Sequence, residues 1–257
     1  MVNNQVEDNK QLIIKRFNEH VKGKLPDTSQ SNTKHSGKEG HWLEKQMGIA
    51  ANSSNTPDLF GFEMKKQTPS KTTFGDWSAD YYIFKDPNRK INKSQFLHIF
   101  GKANEKKAGR YSWSGSPVPK IDVPNLFGQY LKVDEHNNIL ALYDFLHDER
   151  SQKSMLIPIE LQREVIVLAR WDCASIQAKV ERKFNQSGWF RCLKNIDGVY
   201  ETIEFGVPIS YDNWINLVKK GIVFFDSGMY EGNSRLYSQW RANNLLWDSL
   251  IIRDSKN

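Results

Sequence analysis

Two cysteines in 257 residues cannot supply a disulfide framework. Cys173 and Cys192 stand apart, each beside apolar or aromatic neighbours, and neither belongs to a CxxC or similar metal-ligand pattern. The sequence therefore predicts two core thiols in a reducing compartment. No apolar run approaches the roughly 18 residues of a membrane span, and the best, residues 165–169, reads as a buried strand. The first eight residues have neither a basic stretch nor an apolar core, so no secretory leader is expected there. Nothing repeats at a fixed period, which excludes solenoids and propellers. A cytoplasmic protein with no membrane partner is the expectation.

The charge is present but modest. Lysine and arginine total 36 against 30 aspartate and glutamate, a formal net charge of +6. Such an excess suits a polyanionic partner without defining one. The basic residues keep telling company: Lys85, Arg89, Lys90 and Lys93 precede Lys102, Lys106, Lys107 and Arg110 in a stretch with Gly, Asn, Ser and Pro. A segment of that kind can follow a phosphate backbone.

Hydrophobic spacing predicts an amphipathic helix over residues 10–22, with Asp8 as a cap, then a mobile polar segment over 23–40. A short helix is expected over 41–47, ended by Gly48. Strands are expected within 57–65 and over 96–100, 139–146 and 164–171, the last buried on both faces. A helix over 174–184 follows. Residues 189–193 and 200–205 should pair across the Asp197-Gly198 turn. A helix through Trp214, Leu217 and Val218 should stop at Gly221, with a short strand over 222–225 and a polar-aromatic loop over 226–241. This order predicts one α/β (α+β) domain with a mixed sheet flanked by helices. Its catalytic lobe is expected mainly in 1–170 and its recognition lobe mainly in 171–257.

The chemistry gathers in Pro57-Asp58-Leu59-Phe60-Gly61-Phe62-Glu63-Met64-Lys65. Glu63 and Lys65 are two apart and leave the same face of a strand. Asp58, five before Glu63, joins that face only if the chain bends or bulges at Gly61. Two carboxylates offer hard oxygen ligands to Mg²⁺ and leave positions for water and a phosphate oxygen. A divalent ion neutralises charge building on phosphorus and acidifies bound water. Lys65 can orient or deprotonate the water, or stabilise the crowded phosphorus. Two adjacent carboxylates should hold its pKa up, which favours orientation and charge stabilisation. Glu44, on the short helix, is a fourth candidate.

His41-Trp42-Leu43-Glu44, then Gly48-Ile49, then Asn55-Thr56-Pro57-Asp58 running on to Glu63-Met64-Lys65, resembles the signature of the MutH-like branch of the PD-(D/E)XK nucleases. That branch holds a mismatch-repair nicking enzyme and Type II restriction endonucleases of the MvaI/BcnI kind. The resemblance implies metal-binding carboxylates at Asp58 and Glu63, a catalytic lysine at Lys65 and a supporting acid at Glu44. It also implies a restriction-endonuclease-like fold, two lobes around a cleft for double-stranded DNA. The implied reaction is Mg²⁺-dependent hydrolysis leaving 5′-phosphate ends, by a monomer or a homodimer without an obligate protein partner. Leu97-His98-Ile99-Phe100 resembles the strand after the active-site hairpin, which would bring His98 to the scissile phosphate. Residues 224–230, with the segment after them, resemble the part from which relatives insert a loop into DNA. Lys102, Arg110, Tyr230, Asn233, Arg235, Tyr237, Gln239 and Arg241 are the DNA-binding candidates. Arginine suits guanine O6 and N7 and Asn or Gln suits adenine, while phosphate contacts are equally open to them. A nicking enzyme and a non-cleaving DNA binder are the alternatives. Residues 66–90 read as an insertion without an assigned role.

Overall fold

The computed structural model describes residues 2–29, 37–50, 55–66 and 68–253. The chain divides into two compact units that interleave along the sequence. The first comprises Met1–Thr72, Lys179–Tyr211 and Asn243–Asn257, the second Thr73–Ala178 and Asp212–Ala242. The expected boundary near residue 170 does not describe this division. The chain leaves the first unit inside the strand Lys71–Asp76 and returns to it inside the helix Cys173–Phe184.

The first unit is built on a mixed three-stranded sheet. Strand Phe62–Met64 runs parallel to Gly188–Lys194, which pairs antiparallel with Tyr200–Gly206. The last two form the expected hairpin, whose turn is closed by the Asn195 side chain accepting from the backbone N–H of Asp197 and Val199. Helix Val2–His20 covers the sheet with Ile13 and Phe17, four residues apart, and Val21 just after its end continues the same buried spacing. It starts well before the expected residue 10, and Asp8 lies inside it rather than capping it. Its polar opening turns carry Gln5–Asn9, Gln11–Glu7 and Lys10–Glu7 pairs at helical spacing. Helix Lys38–Gln46 adds Leu43, and Gly48 at φ +72° ends that segment as expected. Its first residues fall in the segment read as mobile, of which residues 30–36 lie outside the described residues. Phe62, Met64, Phe190 and Phe205 complete this core.

The second unit has a five-stranded sheet in the order Tyr81–Tyr82, Ile166–Trp171, Ile139–Asp148, Phe127–Val133, Lys120–Ile121. Two smaller sheets accompany it. One orders Val223–Ser227, Ser238–Asn243 and Lys71–Asp76, the other Met229–Tyr230, Arg110–Trp113 and Lys102–Asn104. Buried tryptophans fill the core: Trp171 and Trp214 both meet Trp240 edge-on, with centroids 5.3 and 5.4 Å apart. Residues 66–90 acquire a structural role here. Trp77 packs on Trp214 and accepts from the Trp171 indole through its carbonyl, and the buried Tyr82 hydroxyl bonds Ser238.

Two local expectations are corrected. Residues 96–100 are not a strand but the end of helix Lys93–Phe100. Asn92 and Gln95 form a complete capping box at its start, and Phe96, Leu97 and Phe100 supply a helical buried face. Residues 226–241 are not a continuous loop, since Met229–Tyr230 and Ser238–Asn243 are paired strands. The alternating burial of Ser238, Trp240 and Ala242 is the two-residue period that the polar residues between them masked.

Candidate active site

The bend expected at Gly61 is a two-residue reversal. Phe60 and Gly61 both have positive φ, +48° and +81°. Leu59 and Phe62 exchange backbone hydrogen bonds of 3.0 and 2.8 Å across them. Positive φ at both central positions is the geometry of the tightest hairpin turns, and glycine meets it without strain at the second. A side chain at Gly61 would also meet the Ser187 hydroxyl, 2.7 Å from an ideal Cβ. The reversal folds Asp58 back along the strand, where its Oδ2 accepts the Met64 N–H at 2.9 Å. Asp58 thus joins Glu63 in spite of the odd spacing.

Glu63 is the centre of the cluster, 3% exposed. Its Oε1 accepts Lys65 Nζ at 2.8 Å and Lys183 Nζ at 3.1 Å. Its Oε2 is buried with no hydrogen-bond partner. Burial, and then the charge of Glu63, push the Asp58 carboxyl up to about 6. Glu44, on helix Lys38–Gln46, is raised for the same reason in the same order, against the pull of His41. For Lys65 burial outweighs the carboxylates and lowers the ammonium pKa, with Lys183 adding to that direction. The expectation that two adjacent acids would hold it up is overturned, because this amine is almost wholly out of water.

A cation fits this arrangement. A buried, unpartnered carboxylate oxygen is costly, and a neighbouring carboxyl that resists ionisation adds to the strain. Among the described residues no group of three or more His, Cys, Asp or Glu side chains is placed to hold a metal. An ion at Asp58 and Glu63 would therefore complete its shell with solvent or phosphate oxygens, as magnesium does readily.

Lys183 was invisible to sequence reasoning. It lies on helix Cys173–Phe184 and reaches the site through the fold. Its only local signal was its place on the polar face of a helix whose other face, Ile176, Val180 and Phe184, is buried.

The other candidates lie in the second unit. His98 is on a helix, stacks on Tyr111 with centroids 3.9 Å apart and bonds Glu231 at 3.1 Å. Arg110 covers the Tyr230 ring at 3.7 Å, Tyr230 stacks with Tyr237, and Arg235 lies over Tyr237 at 4.7 Å. Arg235 also pairs with Asp76 at 2.7 Å, and Asn233 accepts Lys93 through its carbonyl. Gln239 stands opposite Asp226 across the strand pair. Arg241 is held by Thr73 and Asp226, each at 3.0 Å. Lys102 is exposed on the strand paired with Arg110–Trp113. Tyr111 and Glu231 were not among the residues singled out from the sequence.

A mixed sheet whose Glu-x-Lys strand follows Asp58 across a tight reversal, with Glu44 on a helix near enough to feel the charge of Glu63, resembles a nuclease site. A model of the LlaMI restriction endonuclease family matches residues 21–255. The chain is 48% identical to the Type II restriction enzyme ScrFI of Lactococcus lactis subsp. cremoris, over 95% of its own length and 97% of that protein's. Its fold is similar to that of the restriction endonuclease MvaI solved with its cognate DNA substrate, with a TM-score of 0.61, 12% identity and 96% of each chain covered. The chain belongs to the LlaMI restriction endonuclease family and is a Type II restriction endonuclease. Among the described residues no helix is long and apolar enough to cross a membrane.

Proposed function

We infer that this enzyme hydrolyses double-stranded DNA at a specific short site in a Mg²⁺-dependent reaction, leaving 5′-phosphate and 3′-hydroxyl ends. The observation that carries this reading is the buried, unpartnered Oε2 of Glu63 beside a carboxyl whose ionisation burial disfavours. Asp58 and Glu63 would hold the ion. When bound, it supplies a charge that stabilises the crowded phosphorus and a more acidic water. Lys65 Nζ, fixed on Glu63 and packed 4.9 Å from the Phe184 ring centroid, orients the attacking water or offsets charge on the phosphoryl oxygens. Its lowered pKa also makes a base role accessible to it. Glu44 supports the cluster from the adjacent helix.

The second unit is read as the surface that engages the duplex. Arg110, Tyr230, Tyr237 and Arg235 form a stack of two tyrosines with a guanidinium at each end, and His98, Lys102, Asn233, Gln239 and Arg241 supply further polar groups in the same unit. Guanidinium and amide groups of this kind read base edges or hold phosphates.

Asp58→Ala tests the proposal. Cleavage should disappear while the protein still retards duplex DNA on a gel with Ca²⁺ present. Turnover near that of the wild type would remove Asp58 from the site.

A further inference from the structure

Glu63 carries more positive charge than an ion pair needs. One of its oxygens takes two ammonium groups, from Lys65 and Lys183, while the other has no partner. The two lysines are held differently. Lys65 is 8% exposed and packed on the Phe184 ring. The Lys183 side chain is 16% exposed and enters from a different element, helix Cys173–Phe184. That helix is anchored nearby, because Asn55 donates to the Lys179 backbone carbonyl at 2.8 Å and the Glu181 side chain accepts the Tyr211 N–H at 2.6 Å. A four-carbon stem on a fixed helix can withdraw its charge without moving the fold.

We propose that Lys183 is a built-in counterion of the metal site: it neutralises Glu63 while the site is empty and competes with the incoming divalent cation. The inference rests on the reading of Glu63 as a metal ligand. Its physical basis is the cost of a buried, uncompensated carboxylate close to two further acids, Asp58 and Glu44, that feel its charge. Two ammonium groups on Glu63 keep the metal-free site neutral enough to stay folded. The same ammonium at 3.1 Å from Glu63 then opposes a second cation on that carboxylate. Lys183 is thus a positioning residue, acting on the ion through Glu63. A purely structural lysine would have the opposite signature, since its loss would loosen Glu63 and weaken metal binding.

The test is calorimetric titration of the full-length protein with Ca²⁺ and with Mg²⁺, without DNA, beside thermal melts in EDTA. Lys183→Met should bind Ca²⁺ about tenfold more tightly than wild type and melt at a lower temperature in EDTA, with the deficit removed by Ca²⁺. Lys183→Arg, which keeps the charge, should retain wild-type affinity. Lys183→Gln keeps a donor to Glu63 without the charge and should follow the Met variant in affinity, which covers the case of a poorly folding Met variant. Unchanged or weaker Ca²⁺ binding in both neutral variants would overturn the proposal. Glu63→Gln separates the two levels. If it binds Ca²⁺ like wild type, the metal-site reading itself fails. If it loses binding while the neutral Lys183 variants are unchanged, only the role of Lys183 fails.

Discussion

Replacing Asp58 by asparagine should stabilise the metal-free protein, by an amount that grows as pH rises from about 4 to above 6. The Asp58 carboxyl rises from 3.8 to about 6, chiefly through burial and then through the charge of Glu63. At about 1.4 kcal/mol for each tenfold change in proton affinity, the rise corresponds to about 2–3 kcal/mol. The folded state holds this proton more tightly than the unfolded chain. The benefit is therefore complete below pH 3.8 and is lost as pH climbs through about 6, beyond which the fold carries a buried charge it resists. Asparagine carries no charge and retains a carbonyl to accept the Met64 N–H. In EDTA at pH 8, Asp58→Asn should thus melt roughly 4–10 °C above wild type, and at pH 4.5 the gap should shrink to about a third of that. Fluorescence of the fully buried Trp189 and Trp247, both in the first unit, is a suitable probe. Added Ca²⁺ should raise the wild-type melt and leave the variant where it was. A variant no more stable than wild type at pH 8, or an advantage that does not change with pH, would show that burial does not raise the Asp58 carboxyl.

Lys65→Ala should lower the single-turnover cleavage rate at least a hundredfold with little change in duplex affinity, because the interaction strengthens only as charge develops. An unchanged chemical step would exclude it. Gly61→Ala places a side chain at φ +81° and against Ser187, so it should cost about 1–3 kcal/mol in a urea melt and weaken Ca²⁺ binding by displacing Asp58. A variant that melts and binds like wild type would show that the reversal does not position Asp58. Arg241→Ala should relax discrimination at one base position by about 1–3 kcal/mol in competition binding if Arg241 reads a guanine. Uniform weakening across unrelated sequences would instead make it a phosphate contact.

The acidic cluster was legible because its residues lie within one short segment. Glu63 and Lys65 share a face by simple alternation, and Gly61 marked the place where Asp58 had to turn back. Lys183 was illegible for the converse reason. It comes from a helix far along the chain, after the whole of residues 73–178 has been laid into the second unit. The direction of the Lys65 pKa was also misjudged, since adjacent charges can be counted in a sequence but depth of burial cannot. Residues 96–100 deceived by composition: a run of large apolar residues suits strand or helix, and the Asn92–Gln95 capping box decided for helix. The short strands at 229–230 and 238–243 were lost among polar residues, although Trp240 and Ala242 carried the two-residue period. The interleaved units were beyond periodicity altogether, because they depend on where strands find partners and not on local pattern.

The role proposed for Asp58 and Glu63 is metal-dependent, site-specific cleavage of duplex DNA. Its most direct test is incubation of the purified protein with unmethylated phage DNA, with Mg²⁺ or with EDTA, read on a gel and by sequencing the ends. Discrete fragments that require Mg²⁺, carry 5′-phosphates and share one site at every end are the predicted result. DNA that stays intact and free of nicks in Mg²⁺, or fragments equally abundant in EDTA, would contradict it.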